Sequence, residues 1–189
     1  MQTIISWTIT GSWLVFAGYW YYASRAVKQT TAHETNLSRA LHLGWLALGF
    51  GLVFLPVGIG PLGWRMLPDI RAVALTGAAL TVIGVGFAIG ARAYLGQNWS
   101  GAVTLKAGHQ LIRSGPYALA RHPIYTGVLV AVLGAAVAGG ELRGLLAVLM
   151  VALAYLRKAR IEERYLAQQF GTAYQTYQQE VKTLIPFVV

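Results

Sequence analysis

Residues 115–138 read Gly-Pro-Tyr-Ala-Leu-Ala-Arg-His-Pro-Ile-Tyr-Thr-Gly-Val-Leu-Val-Ala-Val-Leu-Gly-Ala-Ala-Val-Ala. Arg121 and His122 stand beside the turn-forming Pro123, directly ahead of an apolar run. A cation, an imidazole and two phenols (Tyr117 and Tyr125) are thereby gathered at the edge of a hydrophobic segment. Ionisable groups are costly at such a place and, when present, mark function.

The rest of the chain gives this edge its meaning. Of 189 residues, 56% are hydrophobic and 11% charged, with a mean hydropathy of +0.54. A soluble domain carries about 25% charged residues. The composition therefore predicts an all-α, polytopic membrane protein. No basic region precedes the first apolar run and no small-residue cleavage site follows it, so a cleaved signal peptide is not expected. With no cysteine, disulfides, thiolate nucleophiles and Cys-bound metals are excluded. The net charge of +9 reads as basic residues facing anionic lipid, not as a nucleic-acid surface.

Five apolar runs emerge at 3–23, 41–60, 72–91, 124–138 and 144–156. The first three approach the roughly 20 residues that cross the hydrocarbon as a helix. The last two are shorter and flank a tight turn, Gly139-Gly140-Glu141-Leu142-Arg143, so they read as a helical hairpin extending into polar flanks. A four-span alternative would bury Glu141 and Arg143 within one helix, at high cost. With five spans, all of the 15 basic residues but Arg65, Arg71 and Arg143 fall on one side. The positive-inside rule then sets the N-terminus outside and the C-terminus in the cytoplasm, in a bacterial or archaeal inner membrane. The division expected is an N-terminal membrane region, 1–94, and a catalytic region, 95–189, that holds the polar loop, the hairpin and the tail. In the tail, Ile161, Tyr165, Leu166, Phe170, Tyr174, Tyr177 and Val181 recur as one face of an amphipathic helix interrupted near Gly171. The apolar end, 183–189, is placed to fold back.

Several motifs dissolve on inspection. Gly58-Ile-Gly-Pro-Leu-Gly63 matches a dinucleotide fingerprint in letters only, because no strand precedes it and Pro61 interrupts it. Gly86 and Gly90 form a G-x-x-x-G, read as close helix packing. His33 and His42 stand alone and no set of donors has metal-ligand spacing, so no metal site is expected. Lys106-Ala-Gly-His109-Gln-Leu111-Ile-Arg113-Ser-Gly-Pro-Tyr117 is different, since its glycines loosen a donor-rich backbone suited to a polar ligand. Between 157 and 164 lie six charges, among them Glu162 and Glu163, whose side chains diverge by about 100° on a helix.

Gly96–Trp99, Lys106-x-x-His109-x-Leu111, Gly115-Pro-Tyr117, Arg121-His-Pro-x-Tyr125-x-Gly127, Glu162-Glu163, Leu166, Phe170-Gly171, Tyr174, Tyr177 and Ile185-Pro186 occur in an order and spacing that resemble the isoprenylcysteine carboxyl methyltransferase family and the related phospholipid N-methyltransferases. The resemblance covers residues 95–187; the first two helices carry no matching signature. It implies an S-adenosylmethionine-dependent methyltransferase with a cytoplasmic cofactor pocket. Carried over position by position, His109, Leu111, Tyr117, Arg121, His122, Tyr125 and Glu162 would line that pocket. Arg121 or His122 would hold the cofactor's carboxylate, Glu162 its ribose, and Tyr117 or Tyr125 would face its sulfonium. Arg157 and Glu163 would stand near the acceptor, Arg157 neutralising an anionic head group and Glu163 serving as base for an amine. The implied partners are the bilayer and a lipophilic or lipidated acceptor, with a carboxylate as the methylated group; nothing sets an oligomeric state. The rivals are a phospholipid N-methyltransferase, an NADPH-dependent membrane reductase with a similar Arg-His-Pro-x-Tyr pattern, and a non-catalytic scaffold.

Overall fold

The computed structural model describes residues 2–25, 35–54, 60–96 and 111–185. It contains α1 (Gln2–Ser24), α2 (Asn36–Phe54), α3 (Arg71–Leu95), α4 (Pro123–Gly139), α5 (Leu142–Phe170) and α6 (Thr172–Glu180), with short 3₁₀ turns at Gly60–Gly63 and Gly115–Ala118. Among the described residues there is no strand beyond an isolated bridge between Arg65 and Glu141. Local chemistry sets the boundaries. Pro123 opens α4 at a position whose N–H needs no partner. Gly140 closes it with φ +68°, a conformation that costs glycine little.

α3 and α4 run antiparallel at very close range. A Cβ added at Gly84 would lie 2.4 Å from the Ala131 nitrogen and 2.5 Å from the Gly127 oxygen. At Gly77 it would lie 2.5 Å from the Gly134 oxygen. Small residues of this kind let backbones approach where hydrophobic burial offers little drive. Thr81 Oγ1, buried in the seam, donates to the Gly77 oxygen at 2.9 Å and across to the Ala131 oxygen at 3.3 Å. The packing glycines are thus Gly77 and Gly84 facing Gly127 and Gly134. Gly86 and Gly90, expected in that role, face outward, and a methyl added at either would have nothing within 4 Å.

Around this pair, α1 leans on α3, and α2 lies against α5. Ala88, Val128, Val132, Val151 and Tyr155 form the buried centre, flanked by Trp13, Phe16 and Phe50. Arg92 Nη2 donates to the Ala23 oxygen at 3.0 Å and Nη1 to the Gly96 oxygen at 2.8 Å. One buried cation thereby serves the C-terminal carbonyls of two helices, where the helix dipoles favour it.

Two helices, Asn36–Phe54 and Arg71–Leu95, are long and apolar enough to cross a membrane, and Pro123–Gly139 is a shorter apolar helix. Large apolar side chains such as Ile4, Trp7, Leu14, Leu48, Leu149 and Leu153 lie exposed along α1, α2 and α5. A surface of that kind suits lipid contact. The chain is an all-helical membrane protein.

The last apolar run and the start of the tail form one uninterrupted helix of 29 residues, Leu142–Phe170. The polar residues after Leu156 are strong helix formers, so the helix ends only at Gly171, with φ +53°. The far hairpin end is pinned by the Met66 and Leu67 amides donating to the Gly140 oxygen and by Arg143 paired with Glu141.

Candidate functional site

The site forms where the N-terminus of α4 meets the polar half of α5 and the chain around α6. His122 is the residue just before α4, and Pro123 fixes its position. Its Nδ1 lies 3.4 Å from Glu162 Oε2 and its Nε2 3.2 Å from Glu163 Oε1. The two carboxylates diverge around α5, yet one imidazole fits between them. Tyr125, one turn into α4, donates its hydroxyl to Glu162 Oε1 at 2.7 Å. The His122 and Tyr125 rings are parallel with centroids 5.3 Å apart, and Tyr125 stacks on Tyr155 at 4.5 Å. His42 of α2 then approaches Tyr155 at 5.9 Å. A column of rings therefore runs from the site into the bundle.

Arg121 is almost buried, at 8% side-chain exposure. Its Nε and Nη2 both reach Glu163 Oε1 at 2.9 Å. Nη1 donates to the carbonyls of Gln178 (3.2 Å) and Val181, and Nη2 to Thr183 Oγ1 at 2.7 Å. The chain after α6 is also held by its backbone. The Arg121 amide donates to the Lys182 oxygen at 2.8 Å and the His122 amide to the Thr183 oxygen at 3.0 Å. Thr126 Oγ1 donates to the Leu184 oxygen at 2.6 Å, and Leu184 is buried. The described start of the apolar end, through residue 185, runs back along the Arg-His-Pro turn; 186–189 lie outside the described residues.

Of the other expected site residues, Tyr117 is buried in the 3₁₀ turn. Its hydroxyl points at the Ala91 oxygen, 3.5 Å away, and its carbonyl accepts from the Tyr177 hydroxyl. Burial, with Glu162 nearby, pushes its phenol well above the ordinary range. Leu111 is half-buried. His109, like His33, Lys106, Gly96-Gln-Asn-Trp99 beyond Gly96, and Pro186, lies outside the described residues. Arg157 and Glu163, expected together near the acceptor, are not brought together. Arg157 Nη2 donates to Ser38 Oγ at 2.6 Å on α2, while Glu163 faces α4 and α6. Six helical positions turn the two side chains to opposite flanks of α5. Beside Glu163 lies a cavity of 260 Å³ lined by Arg160, Glu163, Arg164, Ala167 and Gln178.

Tyr155, Gln178 and Thr183 belong to the site without standing out in the sequence. Tyr155 falls seven residues before Glu162 and so on the same helix face, a signal its apolar surroundings conceal. Gln178 and Thr183 have no local signature; only the return of the tail brings them here.

The charges constrain one another. Burial alone would raise the Glu163 carboxyl, but hydrogen bonds from His122 and Arg121 outweigh it and hold the group at about 2. Burial likewise opposes the charge on Glu162, and its hydrogen bond with His122 and the nearby Lys158 keep it below its ordinary value. For His122 burial favours the neutral ring, and the hydrogen bonds to Glu162 and Glu163 overcome this and raise its pKa above 6.5. The sign of the pH dependence follows. The His122 contribution to stability is complete below pH 6.5 and is lost as pH rises through the raised value. The Glu163 contribution is complete above 4.5 and is lost as pH falls towards about 2. Melting of the detergent-solubilised protein should therefore be highest between these limits and decline on the alkaline side. His122→Gln should flatten that alkaline decline; an unchanged decline would assign it to other groups.

These features agree with comparisons to known proteins. The family model described as phospholipid methyltransferase matches residues 73–173, so the likeness begins within α3 and not at the polar loop. The chain is 33% identical over 81 residues to protein-S-isoprenylcysteine O-methyltransferase B of Arabidopsis thaliana, covering 42% of this chain and 41% of that protein. In fold it is similar to the solved eukaryotic intramembrane Ras methyltransferase ICMT (isoprenylcysteine carboxyl methyltransferase), with a TM-score of 0.60 at 24% identity. That match covers 82% of this chain and 54% of the other, so the chain spans about half the length of the relatives it matches. With more than half of its residues inside the family model, from the seam of α3 and α4 through both site carboxylates, the chain belongs to the phospholipid methyltransferase family.

Proposed function

We propose that the protein is an integral-membrane methyltransferase that uses S-adenosylmethionine to methylate the carboxylate of a lipophilic, isoprenylcysteine-like acceptor at the cytoplasmic interface. The name of the plant relative supports the acceptor class, and the family supports the reaction. The topology that goes with this reading has five spans, the N-terminus outside and the site inside, from the distribution of basic residues.

The donor set suits this cofactor. A carboxylate, Glu162, can accept from a diol, and the face of a tyrosine such as Tyr117 suits a cation. The bound cofactor supplies an already activated methyl group. The chain contributes orientation and exclusion of water, and alignment alone is worth about 7–11 kcal/mol. Leu111, Tyr117, His122, Tyr125 and Glu162 are the described residues assigned to this pocket, and the resemblance adds His109, outside the described residues. Arg157, on the flank of α5 that faces α2, is assigned to the acceptor's charge.

The observation that carries the choice of acceptor is the state of Glu163. Methylating an amine requires a proton to be taken, and a carboxyl held at about 2 and already engaged by Arg121 and His122 is a poor base. A carboxylate acceptor requires none.

The test is calorimetric titration of detergent-purified protein with S-adenosylhomocysteine, with NADPH titrated in parallel. Saturable binding of the first alone is expected. Tyr125→Phe, which removes the hydrogen bond that orients Glu162, should weaken it. Binding of NADPH alone, or of neither, would overturn the reading.

A further inference from the structure

Arg121 or His122 is expected to hold the cofactor's carboxylate, yet every nitrogen of the Arg121 guanidinium is already engaged within the protein. An arginine side chain carries five N–H donors. Here four hydrogen bonds engage all three nitrogens, Nε on Glu163 Oε1, Nη1 on the carbonyls of Gln178 and Val181, and Nη2 on Thr183 Oγ1, and Nη2 also lies 2.9 Å from Glu163 Oε1 in the ion pair. Three of these acceptors belong to residues 178–183. The same stretch takes the amides of Arg121 and His122 on its Lys182 and Thr183 oxygens, and Thr126 holds the next carbonyl, of Leu184. Tail and turn are thus fastened by backbone and side chain together, directly over the His122–Glu162–Glu163 cluster.

We infer that Arg121 is a positioning residue that acts through the C-terminal strap, 178–185, and is not a ligand of the cofactor's carboxylate. The strap forms one wall of the site. It keeps water from the buried carboxylates, and Arg121 ties it to α5 through Glu163. Buried charge-assisted hydrogen bonds are strong and directional, so the wall is held in a single arrangement. The inference rests on the cofactor reading above for its ligand arm and on the fold alone for its exchange arm.

Two ligands separate a positioning role from direct contact. S-Adenosylhomocysteine carries the amino-acid carboxylate; 5′-methylthioadenosine keeps the nucleoside and sulfur but lacks it. Titration of wild type, Arg121→Gln and Thr183→Val with each is paired with amide hydrogen exchange over 117–127 and 174–185. Thr183→Val removes one acceptor on the strap and leaves Arg121 in place, so it serves if Arg121→Gln does not fold. Both variants should raise exchange at the Arg121 and His122 amides and along the strap by roughly 10- to 100-fold. Both should weaken the two ligands by the same factor. If Arg121→Gln weakens S-adenosylhomocysteine alone, or Thr183→Val leaves exchange and binding as in wild type, the inference is overturned. If the wild type binds neither nucleoside, the cofactor reading fails, and exchange alone decides whether Arg121 holds the strap.

Discussion

Gly84→Val is expected to leave almost no folded protein. A Cβ at this position would stand 2.4 Å from the Ala131 nitrogen, 2.5 Å from the Gly127 oxygen and 2.9 Å from the Ala131 Cα. All three are backbone atoms of α4, so no side-chain rotation relieves the clash, and the two helices must separate. Overpacking in ordinary cores costs about 1–3 kcal/mol. Parting two backbones along a seam should exceed about 3 kcal/mol, which places it among the most damaging single substitutions. The effect should reach the site, because α4 carries His122 and Tyr125 on its first turn. Gly86→Ala, two residues on, is the control. Nothing lies within 4 Å of the added methyl, and alanine is the better helix former by up to about 1 kcal/mol. Size-exclusion profiles and melting in detergent read both outcomes. Equal melting of the two variants would mean that the seam is not where α3 and α4 meet.

Glu163→Ala should be the most damaging change within the site. It strips Arg121 and His122 of the carboxylate they share while both remain buried, at 8% and 7% side-chain exposure. Removing one partner of such a pair typically costs about 3–5 kcal/mol, because the remaining charge is stranded. The carbonyls and hydroxyl around Arg121 soften the loss, so the lower half of that range is expected. Glu163→Gln keeps an acceptor and should cost less. The double variant Arg121→Met/Glu163→Leu should recover part of the stability that Glu163→Ala loses, since the arginine charge is no longer there to strand and His122 keeps Glu162. Denaturation in mixed micelles measures all three. A double variant no better than Glu163→Ala would show that the strap, and not the stranded charge, sets the cost.

The helices were legible because long apolar runs announce themselves by hydropathy, although among the described residues only Asn36–Phe54 and Arg71–Leu95 are long and apolar enough to cross a membrane. The joining of the last apolar run to the tail was not, since apolarity ends at Leu156 while helix propensity does not, and only the second sets where a helix stops. With 22 glycines in the chain, any spacing finds a match. The seven-residue interval shared by Gly77 and Gly84 with Gly127 and Gly134 has meaning only once the two helices are paired. In the site, the cluster of Arg121, His122, Tyr125 and the two glutamates could be picked out as a group. Which carboxylate meets which cation depends on the rotation of α5 about its axis, and no residue in the sequence encodes that rotation locally. The flank that Arg157 takes, towards Ser38 of α2, depends on the same rotation.

The length of α5 has a consequence for what can be methylated. At about 1.5 Å per residue, an unbroken helix of 29 residues is about 44 Å long, against a hydrocarbon layer of about 30 Å. Its N-terminal end is tied to the hairpin by Glu141 and Arg143. The helix is then a fixed ruler, and Glu162, twenty residues past Leu142, stands about 30 Å along it, one hydrocarbon thickness from the hairpin. On the proposed function, selection among lipophilic acceptors follows from the depth at which the reactive carboxylate floats. Tail length then goes largely unmeasured, and substrates are sorted by altitude.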